Sequence, residues 1–126
     1  KASVRRVLEQ VNLADRAKAS IRSLSHGMRK RLMAAQCFLG EPDLILLDEP
    51  MNGLDPEEAV RFRNLILSRR EGCTVVVSSH NLADLEKFCT HVTFVRDGKV
   101  VKTAALKDLT ADGASLEDEY LVQFKA

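Results

Sequence analysis

Leu44-Ile45-Leu46-Leu47-Asp48-Glu49 is the stretch on which the fold turns. Four consecutive apolar residues without alternation describe a short strand buried on both faces, the pattern of a parallel sheet. Pro50 follows the two acids and ends the run. Acids at the carboxyl end of a parallel strand stand where open α/β sheets bind their ligands. There one carboxylate can hold a magnesium ion while its neighbour orients or deprotonates a water. The same six residues also read as a strand that ends in two solvated acids, and the string alone leaves both readings open.

Upstream, Val4, Val7, Leu8 and Val11 recur at helical spacing over residues 3–12. Leu24-Ser25-His26-Gly27 breaks the pattern, and Ser25 is placed to cap a helix over 27–39 that buries Leu32, Ala35, Phe38 and Leu39. Gly40 and Pro42 stop it. Downstream, Asp55-Pro56-Glu57-Glu58 starts another helix, with Asp55 as cap, Pro56 in the first turn and Glu58 closing a capping box. That helix is expected to end at Gly72. Cys73-Thr74-Val75-Val76-Val77-Ser78 is β-branched and reads as a central strand. Asn81 opens a helix reaching residue 88, and Asp97-Gly98 joins strands at 92–95 and 99–102 in a hairpin. Ser115 caps a last helix carrying Leu116, Tyr120, Leu121 and Phe124. Strand, helix, strand, helix and then a hairpin make an α/β chain with parallel core strands.

The composition agrees and excludes other classes. With 126 residues, 45% hydrophobic and 29% charged, the chain is one ordinary globular domain, neither collagen-like nor low-complexity. Nineteen Lys and Arg against 18 Asp and Glu leave a net charge of +1, so charge gives no case for nucleic acid or an anionic membrane. Aromatics at 5% without tryptophan weaken a stacking platform for single strands. The longest apolar runs, 32–35 and 44–47, fall far short of the roughly twenty residues of a spanning helix. Cys37, Cys73 and Cys89 are odd in number and lack framework spacing, so they read as free thiols in a reducing compartment. Cys89 and His91 alone do not make a zinc site. The chain begins at Lys1 without a signal pattern and reads as a piece of something longer.

Two further places carry chemistry. Ser25-His26-Gly27 at a helix N-terminus offers free N–H groups, a hydroxyl and, at Gly27, close backbone approach to an anion. Arg22, Arg29, Lys30 and Arg31 either raise the local positive potential or form a solvated helix face. His80, just past the 73–78 strand and expected at the same sheet edge as Asp48, can donate to a phosphate or a water, or is structural. His26 and His91 read as structural.

Taken in order, Leu24-Ser25-His26-Gly27-Met28, then 44–49, then Asn52-Gly53-Leu54-Asp55-Pro56, then His80, the chain resembles the nucleotide-binding domain of ABC ATPases over nearly its whole length. The four segments resemble, in turn, the signature motif, Walker B, the D-loop and the H-loop. The resemblance implies a partial P-loop NTPase fold. It divides the chain into a helical subdomain with the signature at 1–40, catalytic core strands, helices and hairpin at 41–103, and C-terminal helices at 104–126.

The resemblance also implies roles. Asp48 holds Mg2+ through water, Glu49 is the general base and His80 contacts the γ-phosphate. Ser25 and Gly27 meet the ATP held by a second nucleotide-binding domain in a head-to-tail dimer, and Asp55 couples the two sites. The implied partners are ATP, that second domain and a transmembrane permease, with no nucleic acid. The implied location is cytoplasmic, on the inner face of the membrane. The tail at 115–121 is similar to endings of exporter-type ATPases.

His26 stands where the signature has glycine, Met28 where glutamine is common, and Met51 where threonine is common. The 126 residues contain no Gly-x-x-x-x-Gly-Lys-[Ser/Thr], and no residue is assignable as the adenine-stacking aromatic or the glutamine loop. Alone they are therefore expected to bind ATP weakly and not to turn it over. The resemblance implies a phosphate-loop strand in the central sheet. Without it an open strand edge is expected to give a dimer through sheet extension or exchange of elements, distinct from the head-to-tail ATP dimer. Two other functions fit the motifs: a soluble ABC ATPase acting on ribosomes or DNA, and a non-catalytic interaction module.

Overall fold

A computed structural model describes residues 2–69 and 71–125. The chain forms two compact units, Lys1–Ser78 and Ser79–Ala126.

In the first unit, α1 (Ala2–Gln10) is followed by two short 3-10 turns, Ala14–Arg16 and Ile21–Ser23, and by α2 (His26–Cys37). Then come β1 (Leu44–Asp48), α3 (Pro56–Leu67) and β2 (Thr74–Ser78). The strands run parallel, with Leu44 opposite Thr74 and Asp48 opposite Ser78, so α3 is the crossover of a strand–helix–strand unit. Caps form at both expected starts: Ser25 Oγ accepts from Met28 N at 3.1 Å and Asp55 Oδ1 from Glu58 N at 2.9 Å. The core gathers Val7, Val11 and Leu13, Ala35 and Phe38 of the α2 region, Ile45, and Phe62 with Ile66 of α3.

Three expectations are corrected here. The first strand is not buried on both faces: Ile45 is 3% exposed, but Leu44 and Leu46 are 54% and 67% exposed. Among the described residues the sheet has two strands, and a face that no element covers stays open whatever its side chains prefer. On α2, Arg31 is buried where it meets Val11 and Glu58, and past the helix end at Cys37 the chain turns Phe38 inward and leaves Leu39 exposed. Asp55 caps α3, but Glu58 does not close a capping box, because its carboxylate turns to Arg31 instead.

In the second unit, α4 (Leu82–Leu85) precedes β3 (His91–Arg96), β4 (Lys99–Ala105), α5 (Leu106–Leu109) and α6 (Leu116–Phe124). α4 is a single turn, shorter than the expected helix to residue 88, although Asn81 caps it as expected. β3 and β4 pair antiparallel around Asp97 and Gly98, both with positive φ (49° and 73°), as a two-residue hairpin turn of the favoured hand requires. Ser115 and Asp118 form a full capping box at the start of α6. Leu116 is completely buried, and Phe94 meets Phe124 with ring centroids 6.0 Å apart. α5 carried no separate signal in the sequence.

Candidate nucleotide site

The acid pair stands at the carboxyl end of β1, in register with the end of β2. Ser78 Oγ donates to Asp48 Oδ1. Glu49 N donates both to Ser78 O and to Ser78 Oγ at 3.1 Å. The two strand tips are thus fastened through one serine. Glu49 has φ +44°, in the left-handed region that costs a non-glycine residue about 1–2 kcal/mol. That backbone value turns the chain off the strand at the second acid. Asp48 is exposed and Glu49 half-buried. In the sequence Ser78 only ends a strand; the register that brings it to Asp48 depends on pairing across 30 residues.

The turn after the acid pair meets the N-terminal end of α2. Lys30 Nζ donates to the carbonyl of Asn52. A Cβ placed on Gly53, whose φ is +72°, would stand 3.6 Å from His26 Nε2. A Cβ placed on Gly27 would lie 2.9 Å from Glu58 Cδ, too close for any side chain there to fit undisturbed. Gly27 thus leaves room for the Glu58 carboxyl where Arg31 holds it, a reason the sequence did not reveal.

Arg31 holds Glu58 in place. Arg31 Nε and Glu58 Oε2 are 2.9 Å apart, an ion pair not aligned as a hydrogen bond. Arg31 Nη1 also donates to the carbonyl of Val11 at 2.6 Å. With the Arg31 side chain 5% and the Glu58 side chain 18% exposed, each charge is kept inside chiefly by the other. The structure thus brings Ser25, His26, Gly27, Asp48, Glu49 and Asp55 into one unit. His80 belongs to the second unit, two residues beyond Ser78, and is exposed.

The donor set decides what metal chemistry fits. Among the described residues no group of three His, Cys, Asp or Glu side chains is placed to hold a metal ion. Magnesium does not need one, because it keeps several waters and takes one or two carboxylates together with substrate phosphates. An exposed Asp48 fixed at one oxygen by Ser78 suits that mode and no all-protein cage. Cys37, Cys73 and Cys89 are free thiols, and burial pushes the Cys89 thiol up from its ordinary value, away from nucleophilic use.

The sequence pattern of the family described as ABC transporter matches residues 1–52. The ABC transporter ATP-binding protein YcbN of Bacillus subtilis is 37% identical over 111 residues, covering 86% of this chain and 36% of its own length. The chain belongs to the ABC transporter ATP-binding protein family. A second family member, the bacitracin transport ATP-binding protein BcrA of Bacillus licheniformis, is 38% identical and covers 81% of this chain and 34% of itself. The solved structure of an ATP-binding subunit of an ABC transporter overlays with a TM-score of 0.80 at 28% identity, covering 98% of this chain and 55% of that one. The α/β fold with parallel core strands is therefore that of the ABC ATPases, within the P-loop NTPases. The chain spans little more than a third of the length of the curated relatives it matches. No helix among the described residues is long and apolar enough to cross a membrane.

Proposed function

We propose that this chain supplies the hydrolytic half of an ATP site in the motor subunit of an ABC membrane transporter of exporter type. One observation carries the proposal: two acids at the carboxyl end of a parallel strand, held by Ser78 from the neighbouring strand. The names of two relatives add to it, one a bacitracin transport protein and one a fluoroquinolones export protein of Mycobacterium tuberculosis that is 36% identical over 96 residues.

In this reading Asp48 binds the water shell of Mg2+, and the ion, when bound, neutralises charge developing on the phosphate oxygens. Glu49 accepts a proton from the attacking water as that water closes on the γ-phosphorus. His80 donates to a γ-phosphate oxygen. Ser25 and Gly27 serve ATP bound by a second nucleotide-binding domain, and Asp55, besides capping α3, lies at the contact that couples the two sites. His26 puts an imidazole where the signature has glycine, and its Nε2 lies close to Gly53. A transmembrane permease is the mechanical partner and holds this chain at the inner face of the membrane, and nucleic acid has no part.

Phosphoryl transfer depends on positioning, and these 126 residues contain no phosphate-cradling loop with its lysine. Alone, the chain should show no Mg2+-dependent turnover in a phosphate-release assay. Turnover that Glu49→Gln abolishes would overturn that expectation. The site is tested by exchanging these residues for the matching segment of YcbN. The chimera should hydrolyse ATP, and Glu49→Gln should lower its kcat at least a hundredfold while ATP still binds. A chimera that keeps its rate with Gln at position 49 would remove Glu49 from the role of base.

A further inference from the structure

A cleft of about 470 Å3 opens in the first unit, lined by none of the residues assigned to nucleotide. Its polar wall is Gln10, Asn12, Asn64 and Ser68 with the guanidinium groups of Arg31, Arg61 and Arg69, and no carboxylate lines it. Two of the three guanidinium charges are already matched, Arg31 by Glu58 and Arg61 by Glu57 at 2.5 Å. Arg69 makes no ion pair with any described carboxylate.

Arg69 is nonetheless held firmly. Its Nη2 donates to Gln10 Oε1 at 2.6 Å, a neutral acceptor, and its guanidinium carbon lies 5.2 Å from the ring centroid of Phe38. Its Nε–H is buried without an acceptor. Native proteins rarely leave a buried charged donor unmet, and each such group calls for an explanation. Glu41 and Glu71 border a neighbouring hollow with Arg69; Glu41 is taken by Arg6 at 2.6 Å, and Glu71 does not reach Arg69 as an ion pair.

We propose that this cleft is an anion-binding site for a single compact oxyanion, a phosphate or carboxylate group of a small molecule, with Arg69 as its principal partner. A guanidinium fastened on one edge and stacked on a ring loses little freedom on binding, and its planar fork suits the paired oxygens of either group. Asn12, Asn64 and Ser68 add neutral donors around it. The volume lies within the range of small-molecule sites, roughly 300–1,000 Å3. The proposal does not depend on the ATPase reading, because no residue is shared between the two.

The test is an NMR titration of the 126-residue chain with inorganic phosphate and, separately, with acetate at constant ionic strength. Saturable shifts should appear at Asn12, Asn64, Ser68 and the Arg69 side-chain Nε–H. Tighter phosphate binding marks a phosphate site and tighter acetate binding a carboxylate site, and either supports the proposal. Arg69→Gln and Asn64→Asp should each weaken binding at least tenfold, the second by adding a negative charge at an exposed position, whereas Arg5→Gln should leave it unchanged. Shifts that do not saturate, or that centre on residues 25–28, would overturn the proposal. If Arg69→Gln fails to fold for loss of its stack on Phe38, unchanged binding in Asn64→Asp is by itself sufficient to overturn it.

Discussion

In the first unit Arg31 of α2 reaches Val11 O and Glu58 of α3, so a buried charge pair joins three segments that lie 20 and 27 residues apart. The second unit buries apolar side chains instead: Leu116, Phe94, Val92 and Leu85 fill its interior, and its ion pairs, such as Lys102 with Glu119, stay at the rim. A buried charge pair tolerates no loss of either member, whereas an apolar core loses stability in proportion to the volume removed. Apart from His80, the residues proposed to act on ATP, at 25–27 and 48–55, belong to the unit with the less forgiving kind of interior. Such an interior fixes where α2 stands against α3, and with it where Gly27 and the turn at Asn52 meet.

The sharpest way to break this contrast is Arg31→Ala. It leaves the Glu58 carboxylate inside without a partner, and urea unfolding should register a loss of about 4 kcal/mol. The double variant Arg31→Met with Glu58→Leu should recover most of that loss, since no orphaned charge remains. A single variant as costly as the double would place the effect in packing rather than charge.

Next in size is Leu116→Ala, which empties a fully buried site in the second unit and should cost about 3 kcal/mol. Hydrogen exchange should quicken in β3, β4 and α6 and stay unchanged in β1 and β2. Equal quickening in both would erase the distinction between the units.

The smallest effect concerns acid. Ser115, through its backbone N–H first and its hydroxyl second, holds the Asp118 carboxyl below the ordinary range, and hydrogen bonds from Lys102 and Gln123 do the same for Glu119. A carboxyl depressed in the folded state adds stability that is complete above about pH 4 and disappears as pH falls through its lowered value. Melting curves of Asp118→Asn should therefore show a shallower loss of stability below pH 4 than those of the parent chain. The two curves should differ at neutral pH only by the loss of the cap. Identical slopes in acid would remove Asp118 from the second unit's acid response.

Much of this was legible because it is local. Ser25, Asp55, Asn81 and Ser115 all cap the helices they were expected to cap, and Asp97-Gly98 makes its hairpin. Each of these features is settled within about four residues. The misreadings are of another kind. Leu46 was expected to be buried and is exposed, since burial depends on what covers a face and not on the strand's own residues. Arg31 was counted with Arg29 and Lys30 as one basic cluster, yet it alone is 4% exposed, because only its rotation on α2 points it at Glu58 and Val11. The acid pair was found from the string at 44–49, but the serine that fastens it was not, since nothing near Ser78 in sequence refers to Asp48.

By itself the sequence determined the element order, the helix caps, the hairpin turn and the family, because hydrogen bonds between near neighbours and short ordered motifs carry them. The tertiary structure alone decided three things: that Ser78 ties Asp48 to the backbone of Glu49, that Gly27 makes room for Glu58, and that Arg69 keeps an unmatched charge beside an open cleft. Each joins groups far apart in the chain, and their meeting is set by strand register and helix packing, which no local stretch of residues encodes.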